Sequence, residues 1–279
     1  MRDTAVALGV AGIDNARFEA RLLLGHAAGL STEQLIARGP QGAPSAVAAA
    51  LRTLTARRVQ REPMAYILGE REFWGLTFKV TPAVLVPRPE SETLIEAALA
   101  LLPDRKRRWR ILDLGVGSGC LLLPLLREFP EATGLGMDVS PEALAVARDN
   151  ADALGVASRA TLMIDDWRRP NWTERVGGPF DLVVSNPPYI AAAAIDGLMP
   201  EVARFEPRLA LDGGPDGLDA YRIIAVAAPK LVTRGGWLAV EAGEGEAPEI
   251  SEFFAAAGLA PMAPWKDLGG IERVVAARL

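Results

Sequence analysis

The sequence predicts an α/β fold, a mostly parallel β-sheet covered by helices on both faces, preceded by a small helical bundle. Three observations carry this expectation. From residue 90 onward strand-like and helix-like stretches alternate; residues 4–62 show helical periodicity with no strand signal; and a glycine-punctuated stretch between them alternates as a hairpin does.

The N-terminal part reads as several short helices. Phe18, Leu22, Leu23 and His26 recur at helical spacing, Ser31 with Gln34 has the capping-box pattern, and Ala46 to Ala56 is alanine-rich. Residues 1–65 are therefore expected to form a helical domain. Tyr66 to Val86 changes character, with Tyr66-Ile67-Leu68, Phe73-Trp74, Leu76, Phe78, Val80 and Val84-Leu85-Val86 broken by Gly69 and Gly75, and residues 66–89 are expected to form a β-hairpin connector. After Pro87-Arg88-Pro89, strands are expected at Arg110–Leu114, Thr133–Asp138, Thr161–Ile164, Asp181–Ser185, Trp237–Glu241 and Glu272–Arg278. Helices fit between them, around Glu90–Leu102, Gly119–Phe129, Pro141–Leu154, Leu218–Leu231 and Ala247–Ala257, so that residues 90–279 form the sheet domain.

Composition removes whole classes of chemistry. With 279 residues, half of them apolar, the chain can bury a large core, and no apolar run approaches a membrane span. Met1-Arg2-Asp3-Thr4 mixes acidic and small residues where a leader would be basic then apolar, which predicts a cytoplasmic protein. One cysteine, Cys120, excludes an internal disulfide, and one histidine, His26, leaves no zinc set and no nucleophile–histidine pair, so no metal is expected. Residues 1–80 hold ten Lys/Arg against seven Asp/Glu, a net +3, and the remainder carries −8 of the chain's −5 total. An acidic catalytic part gains no general attraction for a polyanion, which disfavours nucleic acid as the main ligand.

The densest chemical signal is Asn186-Pro187-Pro188-Tyr189, directly after the apolar run Phe180 to Ser185. A planar NH2 is a poor nucleophile because its lone pair is delocalised; two acceptors that bind its two hydrogens favour the nitrogen as charge builds on it. The Asn186 side-chain oxygen supplies one acceptor and the Pro187 carbonyl the other, since two prolines remove donors and keep that carbonyl out of helix or ladder bonds. Tyr189 offers a flat apolar face to a planar group. A strand that merely stops at a proline-rich turn has the same sequence, so position has to decide.

Position is informative. Ile111 to Leu114 runs into Gly115-Val116-Gly117-Ser118-Gly119 and then a helix, a loop that lets a ligand approach the backbone. The second strand ends in Asp138, with Ser140 as N-cap and Pro141 as first helical residue; an acid there suits a ribose diol. Asp165-Asp166-Trp167 closes the third strand, where a carboxylate meets an adenine amino group and an indole packs on a ring or joins the core. Glycine loop, two acidic strand ends and the proline tetrapeptide fall at successive strand ends of one sheet, where such sheets bind ligands. A dinucleotide accounts for the first two features; S-adenosylmethionine accounts for all four.

The chain resembles the class I S-adenosylmethionine-dependent methyltransferases and, within them, the release-factor glutamine methyltransferases (PrmC/HemK family). Beyond the four motifs, Arg61, Pro63, Ala65-Tyr66-Ile67, Gly69, Glu72-Phe73, Gly75 and Val84 to Glu92 are similar to that family's connector region. Glu201-Val202, Phe205-Glu206-Pro207, Leu209 to Leu211, Gly213-Gly214 and Asp216-Gly217-Leu218 are similar to its segment after the tetrapeptide. Val116 and Ser91 stand where the family often has threonine, and Glu246 where glutamine is frequent; none of these touches the tetrapeptide. The resemblance implies a Rossmann-like domain with a mostly parallel seven-stranded sheet, and methyl transfer to the glutamine side-chain amide of the GGQ motif in class I peptide chain release factors. It implies that Gly115, Val116, Gly117, Ser118 and Gly119 hold the methionine end, Asp138 the ribose, and Asp166 and Trp167 the adenine side. Asn186, which also borders the cofactor, Pro187, Pro188 and Tyr189 would hold the glutamine. No dedicated base is expected, because the methylated nitrogen is acidic enough to release its proton to water. Arg88, Glu90 and Glu92 suit an ion-pair role as well as a substrate contact. A monomer without membrane or metal is expected. Rival readings are a glutamine methyltransferase of a ribosomal protein, an adenine-N6 or guanine-N2 nucleic-acid methyltransferase, and a non-enzymatic binding module.

Overall fold

Apolar positions three and four residues apart fold the N-terminal segment into α1 (Arg2–Val10), α2 (Ala16–Ala28), α3 (Thr32–Arg38), α4 (Ser45–Val59) and α5 (Met64–Leu68) in the computed structural model, which describes residues 1–38 and 42–279. Gly29, at φ 63°, ends α2 in the left-handed conformation. The expected capping box opens α3: Gln34 N–H donates to Ser31 Oγ at 3.2 Å and Ser31 N–H to Gln34 Oε1 at 2.9 Å. Leu8, Ile13, Ala20, Leu23, Leu51 and Ile67 form the bundle's core, and His26 lies exposed on α2.

The chain divides into two compact units, Met1–Glu70 with Met199–Phe205, and Arg71–Leu198 with Glu206–Leu279. The seven-residue return of Met199–Phe205 to the helical unit had no sequence signal, and buried charge anchors it there. Glu201 accepts from Arg61 Nε at 2.7 Å and from Arg58 Nη1 at 2.8 Å, while Arg58 Nε donates to Glu19 at 2.7 Å. Burial works against the charged form of Glu201, and the two guanidiniums outweigh it, holding its pKa below the ordinary carboxylate value.

Trp74 and Gly75 turn the hairpin between β1 (Glu70–Phe73) and β2 (Leu76–Lys79), both at positive φ, 53° and 64°. Its inward residues Phe73 and Phe78 meet edge to face, with ring centroids 6.2 Å apart. Tyr66-Ile67-Leu68, read from sequence as the start of the hairpin region, is instead the single turn of α5. Pro63 at its N-cap and Gly69 at φ 79° after its end close a helical turn that β-like composition does not reveal.

The large unit continues with α6 (Glu92–Leu101), β3 (Arg110–Leu114), α7 (Leu122–Glu128), β4 (Thr133–Asp138), α8 (Pro141–Ala153), β5 (Ala160–Ile164), α9 (Trp172–Val176) and β6 (Phe180–Ser185). Then come α10 (Pro200–Phe205, in the helical unit), α11 (Asp219–Leu231), β7 (Val232–Glu241), α12 (Ala247–Ala256), β8 (Ala260–Pro261), β9 (Trp265–Lys266) and β10 (Glu272–Arg278). The strand order is β5-β4-β3-β6-β7-β10-β8, with β9 also on β10. Neighbours from β5 to β7 are parallel, and β10 is antiparallel to β7, β8 and β9. The sheet thus has eight strands in place of seven, because the seventh position is split into two strands of two residues each. Pro261 and Pro264 lie in that segment, remove ladder donors and erase the alternation that would have announced a strand.

Apolar side chains cover both faces. Ile111, Leu182, Val184, Ala239 and Val274 pack with α6 and α7, while Leu112, Leu114, Val183, Leu238 and Val240 pack with α11 and α12. Strand order reverses where β3 pairs with both β4 and β6, and at that point the strand ends open a crevice.

Arg58→Ala would leave Glu19 and Glu201 in a buried pocket without their shared cation. The expected loss is about 3 kcal/mol or more, measured as a lowered urea midpoint, and Arg58→Lys should recover part of it.

Candidate functional site

A cavity of about 830 Å³ occupies the crevice, bordered by the ends of β3, β4, β5 and β6. Its size suits one cofactor-sized ligand plus the tip of a second group. The loop after β3 begins with Gly115 N–H and Val116 N–H both donating to Met137 O, at 2.8 and 2.9 Å, which turns the chain across β4. Gly115, Gly117 and Gly119 have φ of 78°, 52° and 83°. A Cβ on Gly119 would lie 2.7 Å from Leu123, so this glycine packs the loop onto α7. Val116 is buried, with its methyl where a Cβ on Gly136 would come within 2.7 Å. Gly115, Val116, Gly117 and Ser118 border the cavity; Gly119 does not.

Asp138 is fixed from two sides, accepting from Gly117 N–H and Ser140 N–H, each at 2.9 Å. Burial raises its pKa, and those backbone donors pull against the rise. Ser140 caps α8 as the sequence implies, its Oγ accepting from Ala143 N–H at 3.0 Å. Asp138 keeps lone pairs for hydroxyl donors in the cavity. Trp167 stands over the glycine loop, 3.4 Å from where a Cβ on Gly115 would be. The two acids beside it are already paired. Arg175 binds Asp165 at 2.6 and 2.8 Å, Arg168 binds Asp166 at 2.9 Å, and each guanidinium lowers its partner's pKa. Asp166 therefore shapes this wall as an ion pair with Arg168.

At the other end, Asn186 follows β6 and donates from Nδ2 to Ser91 Oγ at 3.3 Å, which leaves its Oδ1 as the acceptor to offer. Asn186 and Pro188 border the cavity. Pro187 is buried and Tyr189 half-buried behind them, and neither residue is part of the lining. The Tyr189 hydroxyl donates to Glu241 Oε1 at 3.4 Å. Arg88 Nη2 clamps Glu206 at 2.7 and 2.8 Å, joining the segment before α6 to the loop beyond the tetrapeptide. Glu92 is absorbed structurally, accepting from Trp74 N–H at 2.7 Å.

Three residues at the site, Asp113, Glu241 and Ser91, have no site role in the expectation from sequence. Asp113, one residue before the end of β3, is fully buried; neither oxygen has a hydrogen-bond partner, and burial pushes its pKa from 3.8 to about 8 against the pull of the Leu122 backbone. Ser118 Oγ is also buried without a partner. Glu241, at the end of β7, is buried with its pKa raised to about 7 by desolvation. Ser91 touches Asn186. An acid inside an otherwise apolar strand was the available signal for both carboxyls. Among the described residues, no three His, Cys, Asp or Glu side chains are grouped as a metal site requires, and no helix is long and apolar enough to cross a membrane.

The open glycine cradle, the hydroxyl-accepting Asp138, the Trp167 face and the unsatisfied Asp113 and Ser118 fit a ligand with an amino-acid end, a diol and a flat ring. Opposite it, Asn186 presents an acceptor to a second group. Fold and site together define a class I methyltransferase. The description "PrmC N-terminal domain" matches residues 1–69 and "Methyltransferase small domain" matches residues 91–202. A release factor glutamine methyltransferase of Rhodospirillum rubrum is 48% identical over 271 residues, 97% of this chain and 81% of its own. One of Cereibacter sphaeroides is 47% identical over 279 residues, 100% of this chain and 97% of its own. The chain belongs to the release factor glutamine methyltransferase family. A methyltransferase structure from Pyrococcus furiosus, 18% identical with TM-score 0.53 over 81% of this chain and 98% of its own, shares the fold.

Asp113 fixes the sign of a pH effect. A carboxyl raised from 3.8 to about 8 lets the folded chain hold a proton that the unfolded chain has released, so its contribution to stability is present below pH ~4 and lost as pH rises through 8. Asp113→Asn keeps the shape without the ionisation. Urea denaturation is expected to show the variant gaining on the parent between pH 5 and 9; a constant difference would contradict it.

Proposed function

We propose that this protein transfers a methyl group from S-adenosylmethionine to the side-chain amide nitrogen, N5, of the glutamine in the GGQ motif of class I peptide chain release factors, leaving S-adenosylhomocysteine. The observation that supports it most is the Asn186 amide, tethered by Ser91 at the cavity wall and leaving the strand next to the one that carries the glycine loop. Similarity along the whole chain to proteins named release factor glutamine methyltransferase selects glutamine over other planar NH2 groups.

In this reading Gly115 to Ser118 hold the methionine end while Gly119 packs their loop onto α7, Asp138 takes the ribose hydroxyls, and Trp167 with the Asp166–Arg168 pair flanks the adenine. When bound, the cofactor supplies an electrophilic methyl group on a sulfonium. Asn186 Oδ1 accepts one hydrogen of the glutamine NH2, and the Pro187 carbonyl accepts the other. Both bonds strengthen as the nitrogen gains positive charge, which is where stabilisation of the reacting group counts. Pro188 fixes the direction of the Pro187 carbonyl, and Tyr189 secures the loop from behind through Glu241. Orientation supplies much of the remaining acceleration. The methylated amide then loses its extra proton to water, with no side-chain base. The substrate protein and the cytoplasm in which it works are part of the same proposal.

The test is mass spectrometry of the GGQ peptide after incubation of a purified release factor with the protein and S-adenosylmethionine; one added methyl on the glutamine is expected. Methyl appearing on a ribosomal protein or on RNA offered in parallel, and not on the release factor, would refute the assignment. Asn186→Ala should reduce kcat by about 10²–10³ and leave the cofactor's Kd within about threefold.

A further inference from the structure

Asn186 is useful only with its oxygen towards the cavity, yet an amide is nearly symmetric in shape and has to be told which way to point. Nδ2 donates to Ser91 Oγ at 3.3 Å. Ser91 is 2% exposed and its hydroxyl has one proton, which must go to a different acceptor while the oxygen receives Asn186. That hydroxyl lies against the carboxyl group of Glu241, whose Oε2 is buried with no hydrogen-bond partner and whose Oε1 accepts from Tyr189 at 3.4 Å. Glu241 thus reaches the tetrapeptide from two sides, through Ser91 and through Tyr189. Its own backbone is fixed by Tyr221, whose hydroxyl donates to Glu241 O at 2.8 Å.

We propose that Glu241 is a positioning residue whose ionised carboxylate, acting through Ser91, orients the Asn186 amide with its oxygen towards the substrate. The proposal rests on the acceptor role assigned to Asn186 above. An ionised Glu241 is acceptor-only, so Ser91 donates to it and must itself accept from Asn186 Nδ2. A protonated Glu241 becomes a donor to Ser91. The Ser91 proton then turns to Asn186, whose amide rotates to accept it and presents NH2 to the cavity, where it repels a substrate NH2. No atom is exchanged with substrate; one proton on Glu241 reverses the direction of a chain of two hydrogen bonds.

The surroundings set this balance near neutrality. Desolvation raises the Glu241 pKa to about 7, Ser91, Arg273 of β10 and Tyr189 favour the carboxylate, and Glu90 opposes it. Cys120 faces the same carboxyl and is held neutral, its own pKa pushed up to about 12 by burial.

The experiment combines kinetics with an observation independent of turnover. The Asn186 side-chain amide resonance of the ¹⁵N-labelled protein, assigned by its loss in Asn186→Ala, should titrate with a midpoint near 7, and kcat should fall on the acid side with the same midpoint. Glu241→Gln should abolish both the titration and the acid limb. Ser91→Ala should lower kcat about tenfold, one hydrogen bond's worth, with the cofactor KM unchanged, and Ser91→Thr should restore most of that loss. An amide that titrates unchanged in Glu241→Gln, or an acid limb that survives there, would overturn the proposal. If Asn186→Ala keeps its turnover, the acceptor role falls instead, and the resonance reports separately on the coupling.

Discussion

Everything at the cavity depends on the parallel register of β3 with its two neighbours. Leu114 is level with Met137 on one side and Ser185 on the other, and Asp138 with Ile164 one strand further out. The Ser185 hydroxyl donates to Leu114 O at 2.6 Å, tying the last residue of β6 to the last of β3. The glycine loop, Asp138 and Asn186 therefore leave the sheet at one level. A slip of one residue would turn every side chain of a strand to the opposite face, sending Asp113 among the α11 and α12 side chains. The register is held by the two apolar layers, whose members alternate along β3: Ile111 faces one and Leu112 the other.

The same alternation places the two buried acids on one face. Asp113 is level with Val184 and Ala239, and Glu241 stands two residues beyond Ala239, so both point to the side covered by α6 and α7. Neither is a surface acid turned inward by chance. Asp113 lies one residue before the strand end that carries the glycine loop, where a proton retained at neutral pH leaves it able to donate as well as accept. Asn150 ties that loop to the hairpin, accepting from Lys79 N–H at 2.7 Å and donating to Ser118 O at 2.9 Å. A polar layer thus runs under the cavity floor through an otherwise apolar core, and it fixes the loop geometry that apolar packing alone would leave soft.

The architecture was legible because its signals are local. β3, β4 and β10 occupy the expected residues, since alternation or continuous apolar runs bounded by turn residues define them. Asp138 and Ser140 were legible for the same reason: a strand end followed by Ser-Pro is a helix start. What escaped depends on distance in sequence. Ser91 meets Asn186 across 95 residues, and Glu201 meets Arg58 across 143, contacts that no period encodes. Tyr189 shows the limit from another direction. Its ring was read as a face for a flat substrate, yet its hydroxyl turns to Glu241, a partner 52 residues away. The split edge strand escaped because its prolines remove the pattern and the bonds together.

Separating the acceptor from the charge has a physical advantage. A carboxylate at position 186 would bind an NH2 more strongly than an amide does, in the ground state as well as the transition state, and uniform binding does not raise kcat. Burial against Pro188 and its neighbours would also raise its pKa, as burial does for Glu241, so the acceptor itself would gain a proton near neutral pH. Asn186 avoids both problems: its oxygen stays an acceptor at every pH, and its pull grows with the charge on the nitrogen. What an amide lacks is an intrinsic direction. Placing the titratable group one hydroxyl away supplies that direction while keeping the negative charge out of direct contact with the substrate, at the cost of making the acceptor's orientation, and not its chemistry, sensitive to a proton.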